Sequence, residues 1–307
     1  MKALLFPGQG SQIVGMGSEF FNNFEVVKKI FSEADDTLNF KISKLILEGP
    51  AADLKLTKNT QPAIMAVSYS IFCVLKKEYN INIDQFKYFA GHSLGEYTAL
   101  VSSEALTFTD AIYLLQERGK AMQEAVPVGE GSMLAVLGCD VDQINSYISK
   151  LKSKKVCEIA NDNSIGQIIV SGSTESVNEL EVKLKENKKK SILLPVSAPF
   201  HCSLMNIAAE KMKDKINNTE FKESKIEIIN NVNALPEKNP KIIKKLLIDQ
   251  ICSKVRWRES VLFMEKNGVN EFIEIGPGKV LSGLVKRITN ECKSKSINSI
   301  QDMKDIF

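Results

Sequence analysis

The chain of 307 residues is 44% apolar and 25% charged, so it can bury a large core in one large or two modest domains. Its formal net charge of +3 is small for this length, so a nucleic-acid partner is not indicated. No run of about 18 apolar residues is present, and the apolar start ends at Pro7, too early for a signal peptide. We therefore expect a globular, cytoplasmic protein without a membrane segment. The six cysteines are scattered and the chain has two histidines, so no metal site is predicted.

In the first part of the chain, the pattern of apolar residues predicts strands that are followed by helices. Apolar runs indicate two short buried strands, Lys2–Phe6 and Phe86–Ala90, and each is followed by a glycine-rich turn. Helical spacing of apolar residues predicts the helices Gln61–Glu78 and Thr109–Ala125. Pro62 fits the first turn of the earlier helix, where a missing N–H costs nothing.

After Pro127 the order of the predicted elements changes to β-α-β-β-α-β, the ferredoxin-like arrangement. These elements are strand Ser132–Leu137, helix Val141–Leu151, strands Val156–Ala160 and Gln167–Ser171, helix Glu175–Glu186 and strand Ile192–Val196. The chain then resumes with a helix, strand Ile226–Asn230, two helices, strand Glu271–Ile275 and a final helix. We therefore predict an α/β protein with a parallel-rich, α/β-hydrolase-like core, residues 1–127 and 197–307. Residues 128–196 form its inserted ferredoxin-like α+β subdomain.

Gly91-His-Ser-Leu-Gly matches the pattern G-x-S-x-G, in which a serine occupies a sharp turn between a strand and a helix. Glycine two residues to either side lets the neighbouring backbone pass this turn without a clash. Ser93 would then lie at a helix N-terminus, where the helix dipole and the free N–H of Leu94 can stabilise an oxyanion. The pattern predicts that Ser93 is a nucleophile. The alternative is a glycine-rich turn with an incidental serine.

A serine nucleophile needs a base, and the chain offers His92 and His201. His92 adjoins the nucleophile, and in such a turn its side chain should point away from Ser93. His201 follows Pro199-Phe200 and precedes a helical pattern, so a loop could direct it into a cleft. We therefore predict that His201 is the general base. No acidic third member is evident, and a backbone or amide carbonyl could orient the imidazole instead.

Five segments of the chain closely resemble the malonyl-CoA:acyl carrier protein transacylases, and they occur in that family's order over the whole length. They are Phe6-Pro-Gly-Gln-Gly-Ser-Gln, Gly91-His-Ser-Leu-Gly-Glu-Tyr, Gln116-Glu-Arg-Gly-Lys-Ala-Met, Pro199-Phe-His and Glu274-Ile-Gly-Pro-Gly. The family also carries an inserted ferredoxin-like lobe.

The resemblance implies roles for five residues. Ser93 is the residue that becomes acylated, and His201 acts first as general base and then as general acid. The main-chain carbonyl of Gln250 orients the imidazole of His201. The backbone N–H groups of Gln9 and Leu94 form the oxyanion hole. Malonyl-CoA is implied as a substrate, and no metal, nucleotide or redox cofactor is required.

Arg118 stands where the family places the arginine that holds the malonyl carboxylate. A guanidinium and a carboxylate form a planar bidentate pair, which burial strengthens. As an isolated helical residue it would more often form a surface ion pair. The resemblance implies instead that Arg118 rejects acetyl groups, because they would leave its buried charge without a partner.

Two positions depart from the family's pattern. Many bacterial members have a small residue before the catalytic histidine, whereas this chain has Phe200, as in malonyl-selective polyketide acyltransferases. The bulk of Phe200 should exclude branched acyl groups. In the segment Asn161-Asp-Asn-Ser-Ile-Gly-Gln, Ile165 stands where the family usually has proline. We expect Asn161 and Gln167 of this segment to line the substrate site.

The predicted reaction moves malonyl from malonyl-CoA to the phosphopantetheine thiol of acyl carrier protein, through a malonyl-serine ester and with ping-pong kinetics. It would supply fatty-acid elongation, and a monomer would suffice. A basic rim should steer the acidic carrier protein. Candidates for that rim are Lys188, Lys189, Lys190, Lys286 and Arg287. The alternatives are an acyltransferase of polyketide synthesis, a serine esterase or thioesterase, and a non-catalytic binding lobe.

Overall fold

The computed structural model describes residues 1–196 and 198–307, which form two β-sheets surrounded by helices. The strands of the described residues are β1 (Lys2–Phe6), β2 (Phe86–Gly91), β3 (Gly131–Leu137), β4 (Cys157–Ser164), β5 (Gln167–Ser173), β6 (Lys190–Leu193), β7 (Glu227–Ile229), β8 (Pro236–Glu237), β9 (Glu271–Ile275) and β10 (Lys293–Ile297). The larger sheet has the order β10-β9-β1-β2-β7-β8. All its neighbouring strands are parallel except β8, which runs antiparallel to β7.

Helices cover both faces of the larger sheet. They are α1 (Ser18–Asn23), α2 (Glu25–Leu38), α3 (Ile42–Glu48), α4 (Ala51–Leu54), α5 (Thr57–Glu78), α6 (Gly95–Ser102), α7 (Phe108–Glu124), α8 (Val141–Ile148), α9 (Thr174–Glu186), α10 (Asn206–Asn218), α11 (Pro240–Gln250), α12 (Trp257–Lys266), α13 (Val280–Ile288) and α14 (Ile300–Ile306). Helices α8 and α9 pack on the smaller sheet instead. Within the described part of the chain, no helix is both long and apolar enough to cross a membrane.

The apolar runs of the sequence become central strands that are buried on both faces. Successive side chains of a strand point to opposite faces. In β1, Leu4 and Phe6 therefore join the large cluster formed with α2, α5, α7 and α10. Ala3 and Leu5 join the cluster on the other face, which surrounds Trp257 and includes α12 and α13. Burial on both faces explains why these strands are continuous apolar runs rather than alternating patterns.

The smaller sheet is antiparallel and has the order β4-β5-β3-β6. With α8 and α9 on one face it has the ferredoxin-like connectivity β-α-β-β-α-β. The predicted fold class, a parallel-rich α/β core with an inserted ferredoxin-like subdomain, is confirmed. The exact boundaries of the two parts, 127/128 and 196/197, stay a prediction.

The inserted lobe is tied to the core at two places. Strand β4 pairs with the segment after α11, since the N–H of Asp162 donates to the carbonyl of Val255 at 3.0 Å. The Asp162 carboxylate also accepts a bidentate pair of hydrogen bonds from Arg258 on α12. At the base of the lobe, a Cβ added to Gly131 would lie 2.3 Å from Cδ of Pro199, so the entering and leaving segments touch. The lobe is therefore fixed against the core rather than joined by a free linker.

Several elements differ from the sequence-based predictions. Helix α5 begins at Thr57, so Pro62 lies inside the helix and not in its first turn. Strand β6 runs from Lys190 to Leu193 and not from Ile192 to Val196. The N–H of Leu194 still donates to the carbonyl of Met133 on β3, and Pro195 and Val196 then line a cavity. The chain also continues past the predicted last helix into β10 and α14. Strand β10 was missed because its sequence, Lys-Ser-Lys-Ser-Ile, suits a half-exposed edge strand and not an apolar run.

Candidate active site

A cavity of about 480 Å³ lies between the core and the inserted lobe, at the carboxyl ends of the parallel strands β1 and β2. In open α/β sheets this edge is where ligands bind. Most of the residues predicted for the site line it. They are Gln9, Ser93, Leu94, Arg118, Asn161, Gln167, Phe200 and His201. Gln250, the last residue of α11, lies behind His201 and Arg118 and makes hydrogen bonds to both.

The turn that carries Ser93 depends on its two flanking glycines. A Cβ added to Gly91 would lie 1.9 Å from the carbonyl carbon of Gly95, and a Cβ added to Gly95 would lie 2.2 Å from the carbonyl oxygen of Phe6. Ser93 itself has a φ of 53°, in the left-handed region that non-glycine residues seldom adopt. Backbone strain of this kind concentrates at functional sites, and here it directs the Ser93 side chain into the cavity.

Ser93, His201 and Gln250 form a continuous chain of hydrogen bonds. Oγ of Ser93 lies 2.8 Å from Nε2 of His201, and Nδ1 of His201 lies 2.9 Å from the carbonyl oxygen of Gln250. A carbonyl can only accept, so Nδ1 carries the proton and Nε2 is left to accept the proton of Ser93. Burial, and next the charge of Arg118, lower the pKa of His201 to about 3. The imidazole is therefore neutral at neutral pH, as a base must be.

Two backbone N–H groups at the cavity are free to donate to a ligand. They belong to Gln9, in the loop after β1, and to Leu94, in the turn before α6. Among residues 1–196 and 198–307, neither N–H makes a hydrogen bond. The neighbouring N–H of Ser93, by contrast, donates to Oδ1 of Asn231 at 2.7 Å. The arrangement leaves available the two donors that the sequence assigns to the oxyanion hole.

Arg118 on α7 is completely buried and lies beside the serine hydroxyl. Its Nη2 is 3.2 Å from Oγ of Ser93 and 2.9 Å from Oε1 of Gln250, and its Nη1 is 2.7 Å from Oε1 of Gln61. Within the described residues, none of these partners is a carboxylate and Nε has no partner. Burying a charge without an opposite charge in direct contact is costly. Arg118 is therefore suited to receive the carboxylate of a ligand.

Four polar residues of the site were not found from the sequence. Gln61 holds Arg118, and Glu96 and Asn231 hold the serine turn and Gln250. Oδ1 of Asn163, from the inserted lobe, accepts a hydrogen bond from Nε2 of His92 at 2.9 Å, while the His92 ring packs against Trp257. Two signals could have pointed to them: Glu96 directly follows the G-x-S-x-G segment, and Asn231 follows a strand of the parallel sheet.

The remaining predicted residues lie around the cavity wall. Phe200 is buried and precedes His201, whose φ of 60° turns its ring towards Ser93. Gln167 accepts a hydrogen bond of 2.5 Å from Arg287, which places Arg287 beside the cavity. Ile165 is exposed in the turn between β4 and β5, next to Gly166 with a φ of 72°. Lys55, which the sequence did not suggest, is an exposed cation that also lines the cavity.

No cluster of three or more His, Cys, Asp or Glu side chains suited to a metal ion occurs among the residues that the structure describes. The groups that meet at Ser93 are a serine hydroxyl, an imidazole, backbone donors and a buried guanidinium. Together these groups can form an ester on Ser93 with an acyl group that carries a carboxylate.

Comparisons with known proteins agree with this chemistry. Residues 3–305 match the acyl transferase domain family. The chain is 44% identical to the malonyl CoA-acyl carrier protein transacylase of Bacillus subtilis (strain 168), over 96% of this chain and 93% of that protein. It is 41% identical to the protein of the same name from Staphylococcus aureus (strain COL), over 98% of this chain and 97% of that protein.

Solved structures are similar over almost the whole chain. The acyl-carrier-protein-S-malonyltransferase of Bartonella henselae superimposes with a TM-score of 0.96 at 41% identity, covering 99% of this chain and 97% of that one. A malonyl-transacylase solved in complex with its type II PKS acyl-carrier protein has a TM-score of 0.95 at 37% identity, with 99% and 97% coverage. The chain therefore belongs to the acyl transferase family and, within it, to the malonyl CoA-acyl carrier protein transacylases.

Proposed function

We propose that this chain transfers the malonyl group of malonyl-CoA to the phosphopantetheine thiol of acyl carrier protein, through an ester on Ser93, and so supplies fatty-acid elongation. The observation that carries the proposal is the buried guanidinium of Arg118, 3.2 Å from the Ser93 hydroxyl and without a carboxylate partner among the described residues. An acyl group bound to Ser93 that carries its own carboxylate supplies the missing partner, and a malonyl group is such a group.

The first half-reaction begins with malonyl-CoA bound so that its carboxylate faces Arg118. Nε2 of His201 takes the proton of Ser93 as Oγ attacks the thioester carbon, and the Gln250 carbonyl holds the ring while it becomes charged. The N–H groups of Gln9 and Leu94 donate to the oxyanion that forms. The C–S bond then breaks, and His201 returns the proton to the departing CoA thiolate.

The second half-reaction reverses this sequence with a different thiol. His201 takes the proton from the thiol of the carrier's phosphopantetheine arm, and the thiolate attacks the malonyl-serine ester. Collapse of the second oxyanion breaks the ester bond, and His201 returns the proton to Oγ of Ser93. Because the first product leaves before the second substrate reacts, the kinetics are ping-pong. Every step is carried by side chains and backbone groups, and we propose that no cofactor takes part.

The alternatives raised by the sequence make different demands on the site. A serine esterase or thioesterase would have no use for a buried arginine beside the nucleophile, and it would release free acid without a thiol acceptor. The comparisons support transacylation and not hydrolysis. Two expectations from the sequence stay proposals: a cytoplasmic location and activity as a monomer.

Intact-protein mass spectrometry tests the proposed function directly. After mixing with malonyl-CoA in the absence of a thiol acceptor, the protein should gain the mass of one malonyl group, and peptide mapping should place that group on Ser93. Acetyl-CoA and methylmalonyl-CoA should give little adduct, because the first lacks the carboxylate and the second meets Phe200. Rapid loss of the malonyl adduct to water would instead indicate an esterase.

We also propose that acyl carrier protein docks on a basic rim at the mouth of the cavity. Arg287 contacts Gln167 there, and Lys286 precedes it on α13. Lys188 and Lys189 precede β6, which begins at Lys190, and the residues after β6 line the cavity. Carrier proteins are acidic, and rim charges mainly accelerate encounter. The solved complex of a similar transacylase with its acyl-carrier protein supports this kind of partner.

Charge reversal should separate the two half-reactions. Lys286→Glu and Lys189→Glu should slow malonyl transfer to the carrier several-fold at low salt, and the loss should shrink as salt screens the charges. Malonylation by CoA should not change. Lys213→Glu on α10, an exposed position that does not line the cavity, is the control for net charge. Equal losses in both half-reactions, or none in either, would contradict the assigned surface.

A further inference from the structure

The buried carboxylate of Glu96 lies next to the serine turn but has no task in the proposed mechanism. Glu96, in the first turn of α6, is 2% exposed, and such burial of a carboxylate is tolerated when it is paired or hydrogen-bonded. Its Oε2 accepts hydrogen bonds from the backbone N–H of Asn231 at 3.0 Å and from Nε2 of Gln250 at 2.8 Å. Among the described residues it makes no ion pair. Its opposite charge must therefore lie further away.

The opposite charge is Arg118, and the amide of Gln250 lies between the two. Nε2 of Gln250 donates to Glu96, while Oε1 of the same amide accepts from Nη2 of Arg118 at 2.9 Å. The order carboxylate, amide, guanidinium is a chain of charge-assisted hydrogen bonds in which each bond polarises the next. It is an ion pair with an amide inserted between its members.

The inserted amide has a consequence for substrate binding. A carboxylate in direct contact with Arg118 would occupy the guanidinium edge that the ligand's carboxylate needs, and it would have to be displaced. Because the Gln250 amide separates Glu96 from Arg118, Glu96 balances part of the buried charge but leaves the guanidinium edge open to the ligand. It also repels the incoming carboxylate, because charges interact strongly over several ångströms in a site shielded from water.

We propose that Glu96 is a specificity-determining residue, the internal counter-charge of Arg118, and that Gln250 holds it at the distance which sets the preference for malonyl over acetyl groups. This inference rests on the proposed malonyl transfer. Glu96 balances Arg118 while the pocket is empty or holds an uncharged acyl group. A bound malonyl carboxylate takes over that balance, and the negative charge of Glu96 then opposes it.

The ionisation of Glu96 gives the proposal a pH signature. Burial raises the pKa of Glu96 to about 7, against the opposing effects of the Asn231 N–H, the Gln250 amide and the Arg118 charge. The other titratable groups around it do not change charge near neutral pH. The pKa of Tyr97 is raised to about 12 by burial, and the pKa of His201 is lowered to about 3. Glu96 is thus neutral below about pH 7 and negative above it.

Glu96→Gln tests the charge while keeping the contacts. Both hydrogen bonds go to Oε2, so a glutamine can accept them with its single oxygen. At pH 8.5, where Glu96 is ionised, the variant should raise the ratio of kcat/KM for malonyl-CoA over acetyl-CoA about three- to tenfold, because the repulsion is gone. A merely structural role would lower both specificity constants together and leave the ratio unchanged.

The matched control exchanges the two side chains, so that the carboxylate moves from position 96 to position 250. In the double variant Glu96→Gln with Gln250→Glu, composition and net charge are kept, but the carboxylate now contacts Arg118 directly. The main-chain carbonyl at position 250 still faces His201. The malonyl to acetyl ratio should fall below that of the wild type, opposite in direction to the single variant. If the double variant does not fold, the Glu96→Gln variant and the pH dependence of the wild type still test the proposal.

The third test is the pH dependence, in the wild type, of the ratio of kcat/KM for malonyl-CoA over acetyl-CoA. Both substrates use the same serine and histidine, so their titration cancels in the ratio of specificity constants. The ratio should rise as the pH falls from 8.5 to 6, and it should be flat in Glu96→Gln. A wild-type ratio that does not change with pH, or a single variant with an unchanged or lower ratio, overturns the proposal. Absence of any malonyl adduct on wild-type Ser93 would overturn the proposed function instead.

Discussion

Ser93→Ala is expected to abolish both the covalent malonyl adduct and the transfer of malonyl to the carrier. The hydroxyl 2.8 Å from Nε2 of His201 is the only route to an ester in the proposed mechanism. Intact-protein mass after mixing with malonyl-CoA should show the unmodified chain, and carrier malonylation should fall to the rate without enzyme. An adduct of unchanged yield would place the nucleophile at another residue.

Ser93→Gly is the matched second variant for this experiment. The backbone of Ser93 has a φ of 53°, which glycine adopts without strain but alanine does not. The glycine variant should therefore lose activity as completely as the alanine variant while unfolding at an equal or higher temperature. Agreement between the two in activity separates the loss of the hydroxyl from any distortion of the turn.

Arg118→Ala is expected to collapse the preference for malonyl over acetyl groups. Without the guanidinium, malonyl-CoA must place its carboxylate in a buried pocket without a partner, which costs about 3–5 kcal/mol for a buried pair. Acetyl-CoA carries no such charge, so its specificity constant should change little or improve. The measurement is the ratio of kcat/KM for the two substrates in the variant and in the wild type.

Arg118→Lys provides the graded control. An ammonium keeps the charge but cannot form the bidentate pair, so its malonyl to acetyl ratio should lie between those of the wild type and Arg118→Ala. A ratio in Arg118→Ala equal to that of the wild type would show that Arg118 is not the carboxylate anchor. The proposed substrate would then lose its main physical support.

The sequence predicted the parts of this fold that local patterns specify. Strands β1 and β9 begin and end as predicted, because both are short, mostly apolar segments bounded by turn residues. The glycines around Ser93 marked the turn, since their positions admit no Cβ. The spacing of Ser93 from His201 carried no such information, and their role as a pair came from the small number of candidate bases.

The polar network behind the site could not be predicted from local patterns. Glu96 and Gln250 are 154 residues apart in the chain and meet only when α6 and the end of α11 pack together. Nothing in the composition of either helix indicates that contact, because a lone glutamate or glutamine is usually a solvated surface residue. Pro62 was misplaced for a similar reason, since tertiary packing extends α5 one turn earlier than its apolar spacing suggests.

The contact between Gly131 and Pro199 has a practical consequence for making chimeras. Because the two ends of the inserted lobe touch, a lobe from a similar protein can be grafted there without stretching or closing a long loop. Such a graft would also change the cavity. The lobe supplies one wall of the cavity, formed by Met133, Asn161, Asn163, Gln167 and Ile169. A graft would therefore exchange this wall of the cavity as one unit, while Ser93, His201, Arg118 and Phe200 stay with the recipient core.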